Sequence, residues 1–171
     1  EAQQAIRAVV IRALAEGRSI SQQAAEIAEI LREVAGLTER QALAVARFRS
    51  MLQAEGYDPP EVDRLTGELR DRYIRQRAEV IARTETVAAA NAGVQATWEE
   101  AARQGFLPPD VRRRWLTARD ERVCPICGPM DGQVRGLNDL FQSPYDGSMI
   151  EIPPIHVQCR CTLTLNPADL E

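Results

Sequence analysis

The apolar positions of residues 1–57 recur every three or four residues and are punctuated by glycines, a pattern that predicts three short amphipathic helices. The first carries Ile6, Val9, Val10, Ala13 and Leu14 on one face and stops at Gly17. The second comes after a cap at Ser19 or Ser21, turns Ile27, Ile30, Leu31 and Val34 inward, and stops at Gly36. Thr38-Glu39-Arg40-Gln41 has capping-box spacing and starts the third, with Leu43, Val45, Phe48 and Leu52, which ends at Gly56. After Tyr57-Asp58-Pro59-Pro60 one far longer pattern runs from Glu61 to about Gln104. Its stripe passes through Val62, Leu65, Leu69, Tyr73, Gln76, Val80, Thr84, Val87, Asn91, Val94 and Trp98, so its middle is polar. A buried polar group without a partner costs about 1–3 kcal/mol. Gln76, Thr84 and Asn91 therefore predict a face that meets another polar surface. The competing expectation is a helix kinked at Gly67 or Gly93 whose stripe drifts into solvent.

Beyond Phe106 the chain changes character, for eight of its ten prolines lie there. Pro108-Pro109-Asp110 predicts a short helix through Trp115. Asp131-Gly132 predicts a turn entering a short strand, Met149-Ile150-Glu151-Ile152 an edge strand, and residues 161–165 a last alternating strand ended by Asn166-Pro167. This stretch is too rich in loop to bury much apolar area, so a cross-link is expected to supplement its core.

Composition changes this picture little. With 44% hydrophobic and 27% charged residues the chain is that of an ordinary folded protein, and no run of ~18 apolar residues predicts a membrane span. The net charge of −4 is evenly divided on either side of Gly105, which does not advertise nucleic-acid binding. One local exception is Arg112, Arg113 and Arg114 with Arg119 and Arg122 around Trp115, a candidate DNA contact. Its plainer reading is a solvated arginine face balanced by Asp110, Asp120 and Glu121.

The candidate chemistry is concentrated elsewhere. All four cysteines and the one histidine fall within residues 124–161: Cys124-Pro125-Ile126-Cys127-Gly128, then His156-Val157-Gln158-Cys159-Arg160-Cys161. A Cys-Pro-x-Cys-Gly turn aims two sulfurs at one point, and a second donor pair some 30 residues on closes a tetrahedral shell of the kind Zn²⁺ takes. Cys124 and Cys127 with two of His156, Cys159 and Cys161 give four ligands from five candidates. A disulfide pairing and plain buried thiols are the alternatives, the first disfavoured because no secretory leader is visible. With enough donors to close the shell, a structural Zn²⁺ is expected rather than a catalytic one, which needs an open position. The expected fold class is α+β: a helical arm at 1–57, a long helix at 58–105 and a small loop-rich, zinc-tied α+β module at 106–171.

No glycine-rich phosphate loop, Ser-His-Asp set or H-E-x-x-H occurs. Arg83, Glu85, Asp120 and Glu151 form an imaginable acid and arginine constellation for phosphoryl or ribosyl chemistry, although nothing in their spacing requires it.

Several separated motifs add up in order: Ile81-Ala82-Arg83-Thr84-Glu85-Thr86, Asn91, Gly105, Trp115-Leu116-Thr117, Asp120-Glu121-Arg122-Val123-Cys124, Cys127, Asp131-Gly132, and Pro154-Ile155-His156 with Cys159-Arg160-Cys161. Together they resemble the phage Mu F-like head-morphogenesis family of minor capsid proteins, over roughly residues 75–165. The resemblance implies a tailed-phage or prophage protein, present in few copies inside the procapsid and in the host cytoplasm during assembly. It implies association with the portal and other head components, in some members with packaged DNA, and no demonstrated catalytic activity. Some relatives lack the first cysteine pair, whereas this chain has both. Two other classes compete: a phage-borne enzyme, nuclease or ADP-ribosyltransferase-like, and a small zinc-containing DNA-binding protein of the host.

Overall fold

Capping residues mark the starts of the second and third short helices and the stop of the first. Helix α1 (Ala2–Ala15) gives way at Gly17, whose φ of 65° is the left-handed conformation that a helix stop favours. Helix α2 (Ile20–Ile30) is capped by Ser19 and α3 (Glu39–Ala54) by Thr38. In both, the hydroxyl accepts the N–H of the third helical residue, whose glutamine side chain accepts the N–H of the cap in return. Helix α4 then runs from Pro59 to Arg103, and its helical backbone continues through Gly67 and Gly93.

The computed structural model describes residues 2–169. It divides into two units, one up to Ala82 and one from Arg83 onward. In the first, α1 packs against α2 with Ile6, Val9, Val10 and Ala13 facing Ile27, Ala28 and Leu31, all buried. Arg12 and Arg18 both hold Glu26 across this pair, and Arg77 donates to the Gly36 carbonyl at 2.7 Å.

Three expectations of the periodicity fail here. Residues Leu31–Ala35 close as a π-helical turn, with the Gly36 N–H reaching back to the Leu31 carbonyl at 2.6 Å. A π turn adds a residue per turn and rotates the side chains after it, and Val34 points outward, 60% exposed. On α3 only Leu52 is buried and Leu43 is exposed. On α4 the buried line runs through Val62, Thr66, Ile74, Ala78 and Ala82 rather than through Gln76, which is exposed. The small alanines, not the polar residue, face inward.

The second unit is built on a three-stranded antiparallel sheet ordered β2-β1-β5, with β1 Arg112–Leu116, β2 Val134–Gly136 and β5 Thr162–Leu165. A separate two-stranded ribbon pairs β3 (Phe141–Gln142) with β4 (Met149–Ile150). The helix expected through Trp115 is therefore strand β1. Its burial alternates, with Val111, Arg113 and Trp115 in and Arg112 out, but an arginine occupies an inward slot and hides the period of two. Arg113 is fully buried. Its guanidinium donates to Gln95 Oε1 at 2.8 Å, to the Asp139 carbonyl at 2.6 Å and, more weakly, to the Gly136 carbonyl at 3.4 Å, and it lies 5.2 Å from the Phe141 ring centroid.

The polar stretch of α4 does meet a polar surface. Buried Asn91 donates to the carbonyl of Cys161 at 3.3 Å, and its Oδ1 accepts from Leu163 N–H at 3.2 Å and the Thr162 hydroxyl at 3.1 Å. Thr84 accepts the Gln158 N–H at 3.0 Å. Asn91 thus holds the start of β5 to the helix. Asn91→Ala is expected to destabilise this unit by about 2–3 kcal/mol, since buried donors and acceptors are left unmade. Urea unfolding read by tryptophan fluorescence checks this, because Trp98 and Trp115, the only tryptophans, both lie after Arg83.

Candidate metal centre

The core of the second unit is unusual in composition. Its buried cluster is Trp115, Met130, Phe141 and Leu163 together with Cys127, Cys159 and Cys161, so three of its seven members are thiols. None of the cysteines is in a disulfide. Scattered thiols would fill so small a core poorly, and the sulfurs are in fact convergent.

Two turns deliver the donors. In the first, Gly128 N–H closes on the Cys124 carbonyl at 2.9 Å and the Cys127 N–H points at Cys124 Sγ at 3.4 Å, which brings the sulfurs of residues 124 and 127 to one side. In the second, the Cys159 N–H closes on the His156 carbonyl at 3.2 Å, with Gln158 in the left-handed region at φ 62°. Cys161 comes next, at the edge of β5, on the same buried side as Leu163.

The five donors form two triads that share one residue. Cys124, Cys127 and His156 have ligand atoms within 4.8 Å of one another, as do Cys127, Cys159 and Cys161. His156 Nε2 lies 3.1 Å from Cys124 Sγ and 3.0 Å from Cys127 Sγ, and the sulfurs of Cys127 and Cys159 are 3.8 Å apart. With metal–sulfur bonds of ~2.3 Å, two sulfurs of a tetrahedral shell stand about 3.8 Å apart. The nitrogen contacts are shorter than the ~3.5 Å the same geometry asks, so an ion would push the imidazole back by about half an ångström. A cavity of about 30 Å³, lined among others by Cys124, Cys127, His156 and Cys161, adjoins them.

The imidazole is set up as a ligand. Its Nδ1 is 2.8 Å from the Val157 carbonyl, so Nδ1 carries the donated hydrogen and Nε2 is left with its lone pair toward the sulfurs. This pairing of a coordinating ring nitrogen with a backbone acceptor for the other is the usual support of a metal-bound histidine. The donor set fits a metal ion.

Protonation points the same way. Burial pushes the Cys127 thiol up to about 12, and the neighbouring Cys159 sulfur, with burial, pushes Cys161 far above the ordinary range. The hydrogen bond from Cys161 draws Cys159 down to about 5. Burial works against ionising Cys124, but the Cys127 N–H and side chain bring it below its ordinary value. Burial likewise opposes charging His156, which the Val157 carbonyl and the Cys124 sulfur nevertheless raise. Without an ion the cluster cannot ionise all its sulfurs at once, and it shares protons instead. An ion must displace the proton on Cys127, and His156 is the more readily protonated as pH drops, so the ion's apparent affinity grows as pH rises and falls as pH drops. Adding Zn²⁺ to metal-free protein at neutral pH in weak buffer is expected to release at least one proton per ion, that of Cys127, read by a pH indicator.

The arginines offered as a DNA contact are not one cluster. Arg113 is buried in the sheet. Arg112 pairs with Asp169 at 2.5 Å, Arg114 donates to Asn166 Oδ1 at 2.8 Å, Arg119 pairs with Asp131 at 3.1 Å and Arg122 with Asp120 at 3.2 Å. Arg112, Arg119 and Arg122 keep more than half their side-chain surface. Asp120, from the imagined catalytic set, is held well below the usual carboxylate range, chiefly by Arg160.

Sequence reasoning missed two supports of the site. Arg160 reaches Asp120 with two 2.6 Å bonds, and Asp131 accepts the Thr117 N–H at 2.9 Å as well as Arg119. Both carboxylates lie in the family-like motifs, and an arginine inside a Cys-x-Cys spacing was the available signal for the first.

No curated protein and no solved structure matches the chain. A family model described as Phage Mu protein F like protein matches residues 4–164, which takes in the short helices as well as the motif-bearing half. By that match over nearly its whole length, the chain belongs to the Phage Mu protein F like family.

Proposed function

We propose that this protein is a head-morphogenesis protein of a tailed phage or prophage, a minor component of the capsid interior that associates with the portal. Family membership is the observation that carries the reading. The first unit supplies a second support: Ile11, Val34, Leu43 and Met51 are large apolar side chains left exposed on short helices, suited to burial against a larger assembly. No helix among the described residues is long and apolar enough to cross a membrane.

The part of the second unit in this role is structural. The sulfur and imidazole donors are the chemistry that selects Zn²⁺ over hard cations such as Mg²⁺ or Ca²⁺. Cys124, Cys127 and His156, with Cys159 or Cys161, would hold it. The ion supplies a tetrahedral cross-link between two turns that a small apolar core holds only weakly. DNA contact through Arg112, Arg114, Arg119 and Arg122 is the subordinate part of the proposal, since each of these must compete with its carboxylate or amide partner.

Co-expression with the portal protein of the same phage tests the reading. The expected result is co-purification that is lost when Ile11, Leu43 and Met51 are replaced by serine, with the second unit still folded. Failure of the two to associate in any head precursor would overturn it. DNA binding, if carried by the arginines, weakens steeply between low and physiological salt.

A further inference from the structure

Outside the donor set, one contact joins the two ligand-bearing turns without using a metal. Arg160, the residue between Cys159 and Cys161, places both terminal nitrogens of its guanidinium on the two oxygens of Asp120, each at 2.6 Å. Asp120 stands four residues before Cys124 and is itself built into the first turn. Its carboxylate accepts the Arg122 N–H at 3.1 Å, and its carbonyl accepts the Val123 N–H at 3.1 Å. The carboxylate keeps 28% of its surface and the guanidinium 39%, so the pair is partly screened rather than fully solvated. Fork-on-fork pairs of this kind fix direction as well as distance.

The second turn is also anchored by Thr84 and Asn91 on α4. Those bonds tie it to the helix, and the pairing of Thr162 with Leu116 ties its C-terminal end to β1. The Asp120–Arg160 pair is directed instead at the turn that bears Cys124 and Cys127, across 40 residues of chain.

We propose that Asp120 and Arg160 act as a positioning clamp that holds the two donor turns at coordinating distance and so slows the escape of the metal ion. This rests on the reading of the cysteine and histidine set as a metal site. An isolated surface ion pair contributes little to stability, but a contact that orients metal ligands typically changes affinity by about 10- to 100-fold. The clamp should therefore be visible in metal retention before it is visible in folding.

The test is the rate at which zinc-loaded full-length chain yields its metal to excess chromogenic chelator. It compares wild type with Asp120→Asn, Arg160→Gln and the double variant. Asp169→Asn serves as control, since it breaks the comparable pair with Arg112 at the other end of β1. Each single variant is expected to release zinc about tenfold faster or more. The double variant should be no faster than Asp120→Asn alone, because Arg160 acts through that carboxylate. Asp169→Asn should release at the wild-type rate even if it lowers the melting temperature as much. Raising ionic strength should speed release from wild type and not from the clamp variants. Wild-type release rates in both singles, additive effects in the double, or equal acceleration by Asp169→Asn would each overturn the clamp while leaving the metal site standing. A wild-type chain that takes up no zinc would overturn both, and is distinguished by stoichiometry alone.

Discussion

Replacing Cys127 by serine is expected to abolish metal retention and unfold the second unit, while the helices before Ala82 survive. Cys127 is the one donor common to both triads, and it is 4% exposed. Cys159 and Cys161 can partly stand in for one another, since both lie in the same triad. No other donor of the two triads can stand in for Cys127. A structural zinc contributes on the order of 10–16 kcal/mol of binding free energy in small domains, against a net folding stability of about 5–15 kcal/mol for a whole protein. The second unit is therefore expected to lose its fold outright rather than soften. Tryptophan emission should shift to that of exposed indole, because Trp115 is fully buried in this unit. Far-UV circular dichroism should keep most of its helical signal, since α1, α2 and α3 lie in the other unit. A Cys127→Ser chain with native emission and full metal content would be incompatible with two triads that share this one sulfur.

The second large effect is expected at Arg113. This cation is buried in β1, and burial draws its pKa down from the ordinary arginine value without discharging it. Its acceptors, Gln95 Oε1 and the carbonyls of Asp139 and Gly136, are arranged for a planar fork. Lysine presents a single ammonium that cannot serve them together. Arg113→Lys should cost about 2–4 kcal/mol, and Arg113→Met a similar amount, because the acceptors are then buried without a donor. Gln95 also donates to the Leu137 carbonyl at 3.0 Å, so losing Arg113 loosens the segment that leads from β2 to β3. Urea unfolding of metal-loaded protein, with tryptophan emission as the signal, measures this. A change within about half a kcal/mol, the range of an ordinary surface substitution, would mean the fork does not support the sheet in the way its geometry indicates.

Arg113 also shows what could not be read beforehand. Residues 111–115 alternate inward and outward, yet an arginine in an inward slot looks polar, so three consecutive arginines read as a helical surface rather than as a strand. Only the partners, which come from α4, from the end of β2 and from the loop after it, reveal why a cation can sit there. The same limit governs α4: periodicity located Asn91 and Thr84 on a face needing polar partners, but it could not name the backbone of residues 158–163 as those partners. Val34 and Leu43 were placed inward by spacing alone, and a π turn and a sparsely packed α3 left them outside.

What local chemistry controls was legible. Ser19, Thr38, Gly17, Gly36 and Gly56 marked the helix ends because capping and left-handed stops depend on residues within a turn. The cysteine and histidine spacing was legible for a related reason, since each turn brings its own donor pair together. Which of the donors from the second turn completes a shell with those of the first is a matter of tertiary approach. Spacing is silent on that approach, and silent too on the Asp120–Arg160 pair that spans it.

Elemental analysis of the purified chain decides whether an ion joins the two donor turns. One zinc per chain is expected, removed by chelation or by Cys127→Ser with loss of the buried Trp115 environment. A metal-free chain whose second unit is fully folded and indifferent to chelators would contradict it.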